Sequence, residues 1–212
     1  MPRPPRQLVQ LLRLLAGARV LSLARRAALS LGLLAALPAR AQDDGLEQVM
    51  RALAAVRERR DRFTEVKQIP QLEDGLPSEG VLRWSAPDRL EKHTLSPFEE
   101  RVTVAGPRLL YERPDRGVRR DIALEEQPEM AALVEAVRGT LAGDPAALRR
   151  HYEVGFRFER DGSWRMTLTP LSLRLRGAVQ RVVVTGEGAQ LRGVDTEGGG
   201  GVTRMRITPA SP

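Results

Sequence analysis

Apolar and polar residues alternate along most of this 212-residue chain, and this period-two pattern constrains its fold more than any other feature. The clearest stretch is 151–158, where polar or small residues alternate with Tyr152, Val154, Phe156 and Phe158. The alternation resumes at Trp164 after the tight-turn dipeptide Asp161-Gly162. Counted along the whole chain, such segments predict about nine to eleven antiparallel strands. One apolar face on most strands favours a single sheet curled around an interior.

Two regions have helical periodicity instead. Residues 42–61 carry apolar side chains at three-to-four spacing, and we interpret the charged run 57–62 as the solvated last turn of that helix. Residues 128–141 form a second amphipathic pattern that interrupts the strands. A short helix is expected after it, with Asp144 as its N-cap and Pro145 at its first position. The helices are too few to cover a wide apolar sheet, which leaves room for a cavity.

The first 41 residues have the pattern of a secretory signal peptide. They contain seven arginines, no acid and an apolar run at 27–39 that ends in the small-x-small sequence Ala39-Arg40-Ala41. We expect cleavage after Ala41, so that 1–41 is a signal peptide and 42–212 is a single domain in the periplasm. The apolar run is shorter than the ~20 residues of a spanning helix. An uncleaved N-terminal anchor and a translation start near Val20 are the alternatives for this segment.

Charge and cysteine content exclude several classes of function. Residues 1–41 hold seven of the 34 Lys and Arg residues and none of the 27 acids. The net charge of +7 therefore belongs to the predicted signal peptide, and the remaining chain has equal numbers of acidic and basic residues. Nucleic-acid binding needs a basic surface and therefore loses its support. The chain has no cysteine, which excludes disulfides, thiolate metal sites, a cysteine nucleophile and a lipid anchor on cysteine.

Nothing in the sequence indicates an enzyme. His93 and His151 are the only histidines, and the acids two residues away from them, Glu91 and Glu153, form pairs that are common on solvated strands. No nucleophile elbow, phosphate-binding loop or zinc-protease motif is present. We therefore predict no catalytic residues, no metal site and no cofactor.

The order of the elements, together with several short stretches, resembles the periplasmic outer-membrane lipoprotein carrier family (LolA/LolB-like). The stretches are Arg62-Phe-Thr-Glu-Val-Lys-Gln68, Glu79-Gly-Val-Leu-Arg-Trp84 with Pro87 beyond it, Val104-Ala-Gly106 leading to Leu110-Tyr111, Trp164-Arg-Met-Thr-Leu-Thr-Pro170, and residues 194–207. They span nearly the whole predicted domain, and their order is the specific part.

The resemblance implies an α+β, mainly β fold. Its parts are an unclosed antiparallel half-barrel, an N-terminal helix, and a helical lid around a hydrophobic cavity that takes acyl chains. The expected cavity side chains are Leu82, Trp84, Val102, Val104, Leu110, Phe156, Phe158, Met166 and Leu168. The expected lid side chains are Met130, Leu133, Val134 and Val137.

One departure concerns the lid. Carriers of the family usually have an arginine before the proline of the second-strand turn, and that arginine helps to hold the lid closed. Here Ala86 occupies that position, and Arg83 or Arg89 are the candidates to replace it.

The function implied is that of a soluble, monomeric carrier that shields acyl chains of a lipoprotein or lipid between the inner and outer membranes. An inner-membrane exporter and an outer-membrane acceptor would be its partners. A lipid-binding sensor and a small-molecule-binding or structural envelope protein are the alternatives. A sensor is expected to need a further domain or tail, so the end of the chain soon after the last predicted strand favours a carrier.

Overall fold

Eleven antiparallel strands in one sheet form most of the structure, a computed structural model that describes residues 39–70 and 74–209. The predicted signal peptide therefore lies almost wholly outside the described residues. The strands are β1 (Glu58–Gln68), β2 (Leu76–Ser85), β3 (Arg89–Ser96), β4 (Glu100–Ala105), β5 (Arg108–Arg113), β6 (Val118–Ala123), β7 (Tyr152–Phe158), β8 (Trp164–Pro170), β9 (Arg181–Glu187), β10 (Gln190–Gly198) and β11 (Gly201–Pro209). The strand count and the antiparallel pairing confirm the prediction from alternation.

Within the described ranges four helices accompany the sheet: α1 (Ala39–Ala54), α2 (Pro128–Leu141), α3 (Pro145–Arg149) and α4 (Leu173–Ala178). The bounds of α2 agree with the periodicity of the sequence. In α3 the carboxylate of Asp144 accepts a hydrogen bond from the backbone N–H of Ala147 at 2.8 Å, as a capping residue does. Short 3-10 turns lie at Pro114–Arg116 and Leu124–Glu126.

The strand order leaves the sheet open. Across the sheet it runs β6-β5-β4-β3-β2-β1-β11-β10-β9-β8-β7, so β6 and β7 are the two edges among the described strands. These edges are consecutive in the sequence, and the segment between them contains α2 and α3. The chain must cross from one edge to the other, and this crossing places the helices over the inner face of the half-barrel, which is the face that carries the apolar side chains.

The predicted first helix is wrong at its C-terminal end. Helix α1 ends at Ala54, and the charged run 57–62 is the start of β1. Within that run Arg59 and Asp61 point inward, and Asp61 is only 8% exposed. Because alternating charges give no apolar signal, the sequence pattern concealed the strand.

Two apolar clusters lie on the inner face. The larger one joins α1, through Leu46, Val49, Met50 and Leu53, to β7–β9. The smaller one lies on β4–β6 and contains Val104, Leu109, Tyr111 and Ile122. Helix α1 packs closely on β7, since a Cβ added to Gly45 would lie 3.0 Å from the rings of both Phe156 and Phe158.

The turn between α2 and α3 also rests on α1. Gly143 has a positive φ of 65°, and a Cβ on it would lie 2.2 Å from the carbonyl oxygen of Met50 and 2.7 Å from Cβ of Ala54. Only glycine fits both the left-handed backbone and the close approach. This contact sets the position of the C-terminal end of α2.

We expect Gly143→Ala to destabilise the fold far more than Gly117→Ala. Both glycines have a positive φ, but nothing lies within 4 Å of a Cβ on Gly117. Left-handed strain alone should cost Gly117→Ala about 1 kcal/mol, whereas added overpacking against α1 should bring Gly143→Ala to about 3 kcal/mol. Urea unfolding measures both values, and equal losses would show that the α1 contact is unimportant.

Candidate ligand-binding cavity

A cavity of about 140 Å³ lies between α2 and the middle of the sheet. Nine apolar side chains from β2, β3, β10, β11 and α2 line it: Leu82, Trp84, Leu90, Val137, Leu141, Leu191, Val194, Met205 and Ile207. Four charged residues complete the lining: Arg59, Asp61, Lys92 and Arg83. The Arg83 side chain itself lies on the outer face, where it pairs with Glu91. An apolar enclosure with a few polar groups is the usual composition of a small-molecule site.

Helix α2 contributes residues to both apolar clusters and covers the cavity. Its residues Ala132, Ala136 and Leu141 belong to the larger cluster, whereas Met130 and Val134 belong to the smaller one. One helix therefore connects the two halves of the inner face.

Polar contacts attach α2 to the rest of the fold at several points. Arg138 donates a hydrogen bond to the backbone carbonyl of Gly106, in the β4–β5 turn, at 2.8 Å. The buried hydroxyl of Tyr152 donates to the carbonyl of Ala132 at 2.9 Å. Arg174 of α4 lies 2.7 Å from Glu129. The helix thus carries an arginine of its own that fastens it to the sheet.

The expected substitutes for the family's lid-holding arginine make other contacts. Arg83 pairs with Glu91 at 2.7 Å, and Arg89 lines a groove on the outer face of the sheet. In the part of the chain that the structure describes, Arg138 is the arginine that bonds α2 to the sheet.

The predicted cavity and lid residues occupy five different places. Leu82, Trp84 and Val137 line the cavity. Leu133, Phe156, Met166 and Leu168 lie in or against the larger cluster. Val102, Val104, Met130 and Val134 lie in or against the smaller one. Phe158, at the end of edge strand β7, is 49% exposed. Leu110 lies in the outer groove and is on the opposite face from the cavity.

Six apolar lining residues escaped the sequence analysis: Leu90, Leu141, Leu191, Val194, Met205 and Ile207. Most of them lie on β10 and β11, where the weak alternation predicts strands but does not indicate that their side chains line a cavity. The register brings β11 beside β1, with Ile207 opposite Phe63, and β10 beside β11, with Val194 opposite Met205.

Arg59 and Asp61 are two further lining residues that the sequence analysis missed, because it interprets 57–62 as a solvated helix end. The Arg59 and Asp61 side chains are each 11% exposed, and Nε of Arg59 lies 3.8 Å from Oδ2 of Asp61. Burial raises the pKa of Asp61, and the nearby Arg59 opposes this only in part. Burial likewise lowers the pKa of Arg59. The two charges therefore compensate each other incompletely.

Lys92 is better compensated. Its ammonium lies 2.8 Å from Glu65 and 4.9 Å from the centroid of the Phe63 ring, in a cation–π contact.

A groove of about 310 Å³ lies on the outer face of β3–β6 and contrasts with the cavity. Its lining is mostly charged and ion-paired, as in the Arg108–Asp121 bridge at 2.8 Å. His93 lies close by, 2.9 Å from Glu99. Among the described residues, no group of three or more His, Asp or Glu side chains could hold a metal ion. Within the same residues, no helix has the length and apolar character to span a membrane.

We expect Asp61→Asn to raise the Tm at neutral pH, with a gain that shrinks as the pH falls toward 3.8, the ordinary pKa of Asp. A raised folded-state pKa means that the folded protein binds this proton more tightly than the unfolded chain does. The stabilisation that comes from protonating Asp61 is therefore complete below the ordinary pKa, and it is lost as the pH rises through the folded-state pKa. Thermal melts of both proteins across this pH range measure the difference.

Asp121→Asn is the matched control with the opposite sign. A hydrogen bond from Arg108 lowers the pKa of Asp121, so this substitution should slightly lower the Tm at neutral pH, and the loss should vanish in acid. If Asp61→Asn behaved like Asp121→Asn, the ionised Asp61 would be stabilising rather than costly.

Comparison with known proteins gives a family match over residues 36–209, to the family described as "Outer membrane lipoprotein carrier protein LolA-like". No curated protein matches the sequence. Similar solved structures include the LolA superfamily protein NE2245 from Nitrosomonas europaea, at 11% identity and a TM-score of 0.41 over 79% of this chain and 94% of that one. LprF from Mycobacterium bovis has 11% identity and a TM-score of 0.34 over 79% and 95% of the two chains.

The GerS lipoprotein, solved in complex with the CwlD amidase from Clostridioides difficile, is represented by a further structure with 10% identity and a TM-score of 0.35 over 89% and 97% of the chains. The family match spans most of the sequence and agrees with the open eleven-stranded sheet and its helical lid. The protein therefore belongs to the LolA-like family of outer membrane lipoprotein carrier proteins.

Proposed function

We propose that this protein is a periplasmic carrier that holds an acyl chain of a lipid or lipoprotein between α2 and the sheet while that cargo moves from the inner to the outer membrane. The observation that carries the proposal is the cavity under α2, with its nine apolar lining side chains. It lies where a carrier of this family is expected to hold its cargo. The basic, acid-free leader with Ala39-Arg40-Ala41 supports export of the domain to the periplasm.

The cavity must enlarge to take a chain. Pockets for small molecules enclose about 300–1,000 Å³, whereas this one encloses about 140 Å³. Helix α2 is the element that can provide the space, because it connects the two edge strands and is attached to the sheet through a few side chains. Movement of α2 away from β2 and β3 would join the cavity to the gap between β6 and β7.

The energetics explain the need for a carrier. Each CH₂ exposed to water costs about 0.8 kcal/mol, so a sixteen-carbon chain costs about 13 kcal/mol. Transfer from a bilayer into a dry cavity removes most of this cost, and the carrier itself needs no nucleotide. Direction then comes from a membrane exporter and an acceptor, which are the partners that we propose. The lining contains no catalytic constellation that would add a reaction to binding.

Filling the cavity tests the proposal. We expect Val137→Phe to lower the affinity for N-phenyl-1-naphthylamine, a neutral apolar dye, by about tenfold or more, since the larger side chain occupies space that the ligand needs. The Tm should stay near that of the wild type or rise. Dye titration by fluorescence and a thermal melt on the same samples separate the two effects.

Val66→Phe is the control, because Val66 is 41% exposed on the outer face of β1. The dye affinity of this variant should equal that of the wild type. Absence of dye binding by the wild type, together with no lipid co-purified from the periplasm, would refute the carrier function.

A second experiment addresses α2 as the moving element. We expect Arg138→Met to accelerate dye release by about tenfold, because it removes the hydrogen bond to Gly106 and frees α2. Stopped-flow release and hydrogen exchange of α2 amides measure this. The exposed Arg116, in the turn between β5 and β6, gives the control Arg116→Met. Unchanged release in Arg138→Met would show that α2 is not the gate.

A further inference from the structure

Two buried N–H groups facing the cavity have no hydrogen-bond partner in the described part of the chain. They are Nη1 of Arg59 and Nε1 of Trp84. The two residues are directly opposite each other in the β1–β2 pairing, and both line the cavity. Trp84 is 3% exposed and the Arg59 side chain 11%, so water has little access to either group. Buried donors are nearly always paired in native proteins, so two unpaired donors side by side require an explanation.

The Arg59 guanidinium is held in place by its other nitrogens. Nη2 donates to the backbone carbonyl of Ala189, in the β9–β10 turn. Nε lies 3.8 Å from the carboxylate of Asp61. Nη1 is left as the buried nitrogen without an acceptor. This anchoring fixes the guanidinium at the end of the cavity nearest to the β9–β10 turn.

The charges around the cavity favour an anion. Two cationic side chains of its lining lie on the inner face, those of Arg59 and Lys92, together with one acid, Asp61. Glu65 compensates Lys92 at 2.8 Å, whereas Arg59 keeps a buried nitrogen without an acceptor. Burial lowers the pKa of Arg59 and raises that of Asp61, which shows that the guanidinium lacks full compensation from its neighbour.

We propose that the cavity binds a single-chain lipid by an oxyanion head group, which accepts hydrogen bonds from Nη1 of Arg59 and Nε1 of Trp84. The inference rests on the proposed function and adds to it the chemical class of the cargo's head. The acyl tail then extends from this end along Leu82 and Leu90, beneath Val137 of α2. A carboxylate and a phosphate monoester both supply the required oxygens, and both are included in the test.

The test is displacement of N-phenyl-1-naphthylamine by four twelve-carbon amphiphiles: laurate, dodecyl phosphate, methyl laurate and dodecyltrimethylammonium. Hydrogen bonds to a charged group are stronger than those between neutral groups, so at least one oxyanion should displace the dye at about tenfold lower concentration than the neutral ester or the cation. The order of laurate and dodecyl phosphate then identifies the preferred oxyanion.

Two variants connect this preference to its donors. Trp84→Phe removes the N–H and keeps an aromatic ring, and Arg59→Met removes the guanidinium and keeps an apolar stem. Each should reduce the oxyanion preference by about threefold to tenfold and leave displacement by methyl laurate nearly unchanged. Arg60→Met is the control, because Arg60 is the next residue of β1 and lies exposed on the outer face. Thermal melts accompany each variant, and Trp84→Phe decides the test if Arg59→Met does not fold.

The results separate this inference from the proposed function. If the dye does not bind the wild-type protein, the proposed function fails and the inference fails with it. If the dye binds but the four amphiphiles displace it equally, or the cation displaces it best, the carrier function stands and the oxyanion site is refuted. A preference for oxyanions that survives in Trp84→Phe and Arg59→Met also refutes the site.

Discussion

The structure depends on one topological constraint: the two edge strands of the sheet are consecutive in the sequence. Because β6 and β7 lie at opposite edges of eleven strands, the residues between them must cross the inner face. That crossing segment contains α2, whose apolar residues enter both clusters. The open sheet, the lid and the cavity are thus results of the same connection. Tyr152, the first residue of β7, binds the carbonyl of Ala132 and couples the edge strand to the helix that precedes it.

The inner face of the middle strands mixes charged with apolar side chains. Asp61 and Glu65 on β1 and Lys92 on β3 form a charged strip there, beside the apolar residues that line the cavity. Buried charges need partners or solvent, so α2 cannot pack against this strip as tightly as against the clusters. The cavity lies at this strip, and the charged side chains of the strip are the reason that its lining is partly polar.

The family assignment and the cavity support each other. Residues 36–209 match a family of lipoprotein carrier proteins, and the lid helix covers an apolar cavity of the kind such a carrier needs. In this chain Arg138 of the lid helix fastens the lid itself, through a hydrogen bond to the carbonyl of Gly106, whereas Ala86 occupies the position at which the sequence resemblance predicts an arginine.

The sequence alone determined the element types wherever the apolar pattern was strong. The period of 128–141 and the proline at its start predicted α2, and strict alternation predicted β7 and β8. It could not predict the start of β1, because Arg59 and Asp61 alternate without apolar contrast. Leu109 and Leu110 are adjacent and both apolar, and only the pairing of Leu109 with Val104 decided that Leu110 faces outward. A bulge in β10 likewise places Leu191 and Val194 on the same cavity, although strict alternation would put them on opposite faces. Facing and register arise from contacts between strands distant in the sequence, and they are therefore decided by the tertiary structure.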